Sequence, residues 1–134
     1  MNEYVKSDLY RYTGRVDNHA FWCMYWHNQT FRWQVAFRLA KAGSFWGKIL
    51  WKLNRSKHTI SIPLETSVGY GLYIGHGGPI ICNPTAVIGN NVTLGAGSIV
   101  TKDIPDNATA AGNYARVLNY NNPGRYIGNP WLIN

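Results

Sequence analysis

In the second half of this 134-residue chain an aliphatic residue returns at every sixth position, and this period constrains the fold more than any other feature. Two runs carry it: Ile62, Val68 and Ile74, followed by Cys82, Ile88, Leu94 and Val100. A period of six fits neither an amphipathic helix nor an alternating strand. It fits a solenoid with three short flat faces, in which each unit of six points its aliphatic residue at the axis. We therefore expect a mainly β coil in which three units complete one turn.

The six-residue register slips by two positions between Ile74 and Cys82, inside the segment GHGGPI. Glycines permit positive φ, so the slip predicts an irregular turn that carries His76. Neutral imidazole is suited to accept a proton near neutral pH. His76 is therefore the candidate general base, and the alternative is a surface-loop histidine with no role.

The chain divides into three segments that we expect to form one structural unit. Residues 1–58 show helical spacing of apolar residues, with Asn28 and Ser44 as helix caps, and predict two or three helices. Residues 59–106 carry the six-residue units and form the coil. Residues 107–134 lose the period and gain Pro, Asn and Gly, which predicts a terminating loop and an extended tail.

The combination of motifs in residues 60–117 is more specific than the period alone. The first part is IPLETSVGYGLYIGHGGPIICNPTAVIGNNV, and the second is TLGAGSIVTKDIPDNATAAGNYARV. With its glycine-flanked histidine, register slip and closing VTKDIP and AAGN segments, this stretch resembles the hexapeptide-repeat acyltransferases. The resemblance is to the branch that contains serine acetyltransferases and capsular polysaccharide O-acetyltransferases.

The resemblance implies a short left-handed parallel β-helix with an α-helical N-terminal segment and an extended C-terminal tail. It further implies a homotrimer in which acetyl-CoA lies in the groove between subunits and His76 activates the acceptor hydroxyl. The matching positions that would bind the cofactor are Gly95, Ala96, Lys102, Ala111, Gly112 and Arg116. The matching positions that would bind the acceptor are Ser61, Glu65 and Gly75.

Two departures from the family pattern shape the expected function. Gly75 and Ser61 stand where the serine-specific enzymes carry carboxylates, which favours a sugar or polysaccharide hydroxyl as acceptor over L-serine. The chain is also shortened by about two coils, between the segments at Asn91 and Gly95, with the register continuing across the gap. We expect an acetyl-CoA-dependent O-acetyltransferase. Serine O-acetylation and a catalytically impaired trimeric scaffold are the alternatives.

Composition and charge limit the kinds of binding partner that we expect for this chain. The formal net charge is +7, but the basic residues form no run, so we expect no nucleic-acid partner. Histidines and the two cysteines match no metal spacing, so we expect no metal, and the absence of a cysteine framework favours a cytoplasmic setting. The aromatic and basic residues of the first segment predict either a peripheral contact at the inner face of the membrane or a helical cap on the coil. They are Trp22, Trp26, Trp33, Trp46 and Trp51, with Arg32, Arg38, Lys48 and Lys52.

Overall fold

The computed structural model describes residues 1–55, 59–120 and 129–133. Its first segment forms four helices rather than two or three: α1 (Glu3–Thr13), α2 (Asn18–His27), α3 (Gln29–Lys41) and α4 (Phe45–Arg55). Asn28 caps α3 by accepting from the Phe31 N–H, and Ser44 Oγ accepts from the Gly47 N–H at the start of α4. Both predicted caps are confirmed. The additional helix arises because Gly14, in the left-handed conformation, ends α1 before α2 begins.

Short strands follow the helices and stack in three sheets. They are β1 (Ile60–Ser61), β2 (Ser67–Val68), β3 (Tyr73–Ile74), β4 (Ile80–Cys82), β5 (Val87–Ile88), β6 (Thr93–Leu94), β7 (Ile99–Val100), β8 (Ala108–Ala111) and β9 (Arg116–Tyr120). The sheet orders are β1-β4-β7, β2-β5 and β3-β6-β8-β9, and all pairs are parallel except β8 with β9. Each of the strands β1 to β4 therefore pairs with the strand three positions later, as in a three-sided coil.

The axis of this coil is formed by the residues that recur with period six. All seven predicted axis residues are buried, with exposed fractions between 0% and 4%. Ala108 and Ala110 continue the same core beyond residue 106. The expectation of a loop from residue 107 is therefore wrong for residues 108–111 and 116–120, which form β8 and β9. Alanines replace the larger aliphatic residues there, which hides the period in the sequence, but β8 still pairs in parallel with β6.

The turns of the coil differ in length. Ile60 pairs with Ile80, Ile81 with Ile99, and Thr93 with Thr109. The steps between these partners are therefore 20, 18 and 16 residues. The longest step contains the predicted register slip, which places two extra residues in the turn that carries His76. The boundary predicted at residue 58 lies in 56–58, and part of the predicted tail in 121–128 and 134, outside the described residues.

A buried polar network joins the helices to the first turn of the coil. Asp8 of α1 and Arg38 of α3 form an ion pair with bonds of 2.8 and 2.9 Å, and both side chains are almost fully buried. Asp8 also accepts the Leu72 N–H, while Arg38 donates to the carbonyls of Val68 and Gly69. Each polar side chain thus satisfies a backbone group of the coil that would otherwise be buried without a partner.

This network corrects part of the prediction for the aromatic and basic residues. Arg38 is 3% exposed and Trp33 is 1% exposed, so neither belongs to a surface patch. Trp33 stacks on Phe37 within the coil's core cluster, as the helical-cap alternative predicted. Trp22, Trp26 and Trp46 remain exposed.

Candidate active site

His76 lies in the turn between β3 and β4 and is exposed to solvent. His76, Gly77 and Gly78 all have positive φ, at 54°, 74° and 119°. A Cβ at Gly78 would lie 2.5 Å from Thr59 Oγ1, so glycine is required there by both space and conformation. The imidazole therefore sits on a tight, glycine-built turn that holds it away from the core.

Contacts on both sides fix this turn. The hydroxyl of Tyr12 bonds to Gln34 Oε1 at 2.6 Å and lies 3.3 Å from both the N and the O of Ile74, two residues before His76. On the far side the Gly97 N–H donates to the Pro79 carbonyl at 2.8 Å. The helices and the next turn of the coil together position the histidine's backbone.

Small residues form a column beneath His76 on successive turns. Tyr73 and Ile74 pair in register with Thr93 and Leu94, and these with Thr109 and Ala110. The residues that follow each pair stack at one corner, because the Gly75 N–H donates to the Leu94 carbonyl and the Gly95 N–H to the Ala110 carbonyl, both at 2.9 Å. Four of the six predicted cofactor residues stand in this column: Gly95, Ala96, Ala111 and Gly112.

The column leaves a flat backbone surface. A Cβ at Gly95 would lie 2.9 Å from the Cβ of Ala111, so the corner has no room for larger side chains pointing along it. Ala96 and Gly112 are exposed below His76 and project at most a methyl group. A thin, extended ligand can therefore approach the backbone along this corner.

The two predicted cationic residues lie in different places. Arg116 is exposed on β9 and pairs with Ala111, at the edge of the column. Lys102 is exposed at the corner that follows β7, one sheet further along the coil. Within a single chain the structure thus brings Arg116, but not Lys102, to the corner below His76.

Ser61 and Glu65, predicted to bind the acceptor, do not share His76's corner. With Trp33, Trp51 and Arg55 they line a cavity of about 480 Å³ between α4 and the first turn, to which His76 does not contribute. Their separation follows from the coil, because β1 and the following corner begin the first turn while the histidine turn ends it. Of the three predicted acceptor residues only Gly75 adjoins the histidine.

Among the described residues the exposed His76 ring makes no hydrogen bond. Asp17 caps α2 by accepting the Ala20 N–H at 2.8 Å. Within residues 1–55, 59–120 and 129–133 no group of three or more His, Cys, Asp or Glu side chains could hold a metal ion.

Sequence reasoning missed the side chains that hold the turn and the first coil in place. The sequence offers one local signal, the i, i+4 spacing of Asp8 with Tyr12 and of Gln34 with Arg38. This spacing indicates that each pair shares a helix face, but it does not indicate that the face is buried against the coil. Burial raises the pKa of the Tyr12 hydroxyl well above its usual value, so it acts here as a neutral hydrogen-bonding group.

Comparisons with known proteins show which proteins the coil segment resembles. No protein-family model matches the chain. The chain is 42% identical over 67 residues to the galactoside O-acetyltransferase of Escherichia coli (strain K12), covering 50% of this chain and 31% of that protein. It is 46% identical over 56 residues to dTDP-3-amino-3,6-dideoxy-alpha-D-galactopyranose 3-N-acetyltransferase of Aneurinibacillus thermoaerophilus, covering 42% and 28%.

A solved structure extends the likeness to the helical segment. A serine O-acetyltransferase from Brucella melitensis, described as a bacterial transferase hexapeptide repeat, matches 87% of this chain and 68% of its own, with a TM-score of 0.53 and 18% identity. This similarity shows a shared fold, including helices before the coil. The chain spans less than a third of the length of the two curated relatives above.

Proposed function

Because the homologues of this chain are hexapeptide-repeat acetyltransferases, we propose that its coil is a left-handed parallel β-helix and that it is an O-acetyltransferase. The reaction moves an acetyl group from acetyl-CoA to a hydroxyl of a sugar or polysaccharide precursor. The observation that carries the proposal is the position of His76, exposed on a glycine turn at the top of a column of small residues. The two curated relatives, named as acetyltransferases of galactosides and of an amino sugar, support a sugar acceptor.

In this mechanism acetyl-CoA supplies the acetyl group as a thioester, and His76 supplies the base. The neutral imidazole accepts the proton of the acceptor hydroxyl as its oxygen attacks the acetyl carbon, and it then returns that proton to the departing thiolate. Gly77 and Gly78 follow His76 in the same turn, and their backbone N–H groups are the donors that would stabilise a developing oxyanion.

The residues of the column fit a pantetheine chain. The flat backbone at Gly95, Ala96, Ala111 and Gly112 admits an extended chain whose amides pair with backbone groups. Arg116, at the edge of the column, is available to bind a phosphate. Lys102, at another corner, would meet the phosphates only from across an inter-subunit groove.

A homotrimer accommodates this arrangement. Each chain alone offers one wall of a groove, and the outer faces of its sheets carry exposed apolar side chains, including Ile81 at 48% and Val87 at 46%. A coil of so few turns buries little apolar surface by itself, so association of three copies would cover these faces. Leu118 and Tyr120 are exposed on β9, which belongs to the third sheet.

The test replaces His76 by alanine and measures coenzyme A release with a panel of sugar acceptors. We expect a loss of about 10²–10⁴-fold in kcat/KM with little change in acetyl-CoA affinity, because the imidazole acts on the acceptor. His19→Ala is the matched control, since His19 is also exposed but lies on α2. Unchanged turnover in His76→Ala would reject the role of His76.

Serine O-acetylation is the second enzymatic candidate, and L-serine belongs in the same panel. The fold likeness to a serine O-acetyltransferase motivates the comparison, but Gly75 and Ser61 provide no carboxylate for an ammonium group. Higher kcat/KM with L-serine than with every sugar would favour this candidate. A stable trimer without affinity for acetyl-CoA would instead indicate a scaffold.

A further inference from the structure

Helix α4 exposes an apolar face that the fold does not use. Phe45 is 69% exposed, Trp46 71% and Leu53 60%. The reason is Gly47, the buried residue of α4, where a Cβ would lie 2.5 Å from the Leu39 backbone. This close backbone contact with α3 fixes the rotation of α4 about its axis and turns the opposite side of the helix outward.

The outward side has two adjoining stripes. At about 100° per residue, Phe45, Ile49, Leu53 and Trp46 share one arc of the helix. Lys48 and Lys52, both exposed, share the neighbouring arc. Arg55 lies at the inner edge of that arc, where its guanidinium lies over the Trp51 ring at 5.3 Å and lines the cavity between α4 and the coil. An apolar stripe beside a basic stripe is the pattern of a helix that lies in a membrane interface.

Charge indicates what covers this face. The helix contains three cations and no acid, within a chain of net charge +7. Two copies meeting symmetrically through α4 would bring six cations together, which disfavours self-association there. Glu65 is an acid near the helix, but it lines the cavity on the inner side with Trp51 and Arg55. The face therefore complements an anionic surface.

Helix α2 provides an internal comparison. It exposes Trp22 at 54% and Trp26 at 65%, but contains no Lys or Arg. Its aromatic surface is partly covered from within the fold, because the Arg32 guanidinium lies 5.6 and 5.9 Å from the Tyr25 and Trp26 rings. Exposed aromatic residues occur on both helices, whereas an adjoining basic stripe occurs only on α4.

We propose that α4 docks the protein on an anionic lipid surface, with Phe45, Trp46 and Leu53 inserted at the headgroup boundary and Lys48 and Lys52 above them. None of the helices in the described part of the chain is long and apolar enough to span a bilayer, so the contact is peripheral. The docking does not depend on catalysis, and it extends the proposed function by placing the protein at a membrane surface.

The test is co-sedimentation of the full chain with vesicles of phosphatidylcholine alone or mixed equally with phosphatidylglycerol. We expect binding to the mixed vesicles only, weakening as salt is raised because the lysines act through screened charges. Lys48→Gln with Lys52→Gln should lower the partition coefficient about 30-fold, the loss of two favourable surface charges. Phe45→Ser with Trp46→Ser should lower it at least about tenfold.

The matched control is Trp22→Ser with Trp26→Ser on α2, which should leave partitioning within about twofold of the parent. Circular dichroism and gel filtration verify that each variant keeps the fold and oligomeric state. The proposal is overturned if the parent does not bind mixed vesicles, or if the α2 control loses binding as much as the α4 variants. It is also overturned if the α4 variants change the oligomeric state, since α4 would then be a subunit contact.

Discussion

The two ends of the histidine corner are held by different forces. Above it, the first turn of the coil is bonded to α1 and α3 by buried charged and polar side chains, among them Asp8, Arg11 and Arg38. Below it, the later turns are held by the backbone ladder and by an axis of aliphatic side chains such as Leu94 and Val100. Hydrogen-bonded charges have one satisfactory arrangement, whereas an aliphatic axis tolerates many. The upper part thus specifies position, and the lower part supplies a uniform surface.

The largest expected effect is at the polar junction. Asp8→Ala should lower the free energy of unfolding by about 3–5 kcal/mol, because it leaves the buried Arg38 guanidinium without a counter-charge. The measurement is urea unfolding followed by circular dichroism. Glu3→Gln, which removes an exposed ion pair with Lys6, is the control and should change the value by less than about 1 kcal/mol. Similar effects of the two variants would contradict the claim that the buried pair stabilises the junction between the helices and the first turn of the coil.

Replacing both members of the ion pair sharpens the same point. A buried pair can often be exchanged for apolar residues of similar volume without loss. Here Asp8→Leu with Arg38→Met should remain destabilised by at least about 2 kcal/mol, since the Leu72 N–H and the Val68 and Gly69 carbonyls lose their partners. Burial raises the pKa of the Asp8 carboxyl, and Arg38 opposes that rise. Recovery of parental stability in the double variant would show that the hydrogen bonds from the pair to the coil backbone do not contribute to stability.

The aliphatic axis is expected to lose somewhat less. Leu94 is fully buried in the middle turn, so Leu94→Ala should lower the free energy of unfolding by about 2–5 kcal/mol through lost burial and a cavity. Leu94→Met keeps the volume and should cost less than about 1.5 kcal/mol. The axis should tolerate methionine because the new side chain has a similar volume. Apolar replacement of Asp8 and Arg38, by contrast, is expected to remain destabilising. An equal loss with methionine would indicate that the axis is as specific as the junction.

These two regions also differ in what the sequence revealed. The axis was predictable residue by residue, from Ile62 to Val100, because burial at one position per six leaves a period in the sequence. The coil beyond residue 106 is not predictable from this period, because Ala108 and Ala110 carry too little apolar signal. The sequence pattern predicts Arg38 as a surface cation. No local pattern indicates that it will be buried against Asp8, which lies 30 residues earlier in the chain. The His76 turn was predictable from its glycines, whereas its Tyr12 and Gln34 contacts depend on tertiary packing.

Ala96 offers a prediction for the lower, uniform surface. Ala96→Gln should weaken acetyl-CoA binding about tenfold and leave unfolding unchanged, because an exposed side chain would stand in the column where a flat backbone is required. Isothermal calorimetry with coenzyme A measures it. Thr85→Gln, at an exposed position on another corner, is the matched control and should bind like the parent. Equal affinity of both variants would remove the column from the cofactor site.

The smallest expected effect concerns chemical modification of the two cysteines, which reports whether the core of the coil is closed to reagents. Cys82 is buried, and burial raises the pKa of its thiol to about 12, whereas Cys23 is exposed. Since the thiolate is the reactive form, a disulfide reagent at pH 8 should modify one thiol per native chain and both after unfolding in urea. Modification of Cys82 in native Asp8→Ala at the rate seen for Cys23 would mean that loss of the junction opens the coil. Continued protection would show that the aliphatic axis closes without the helices.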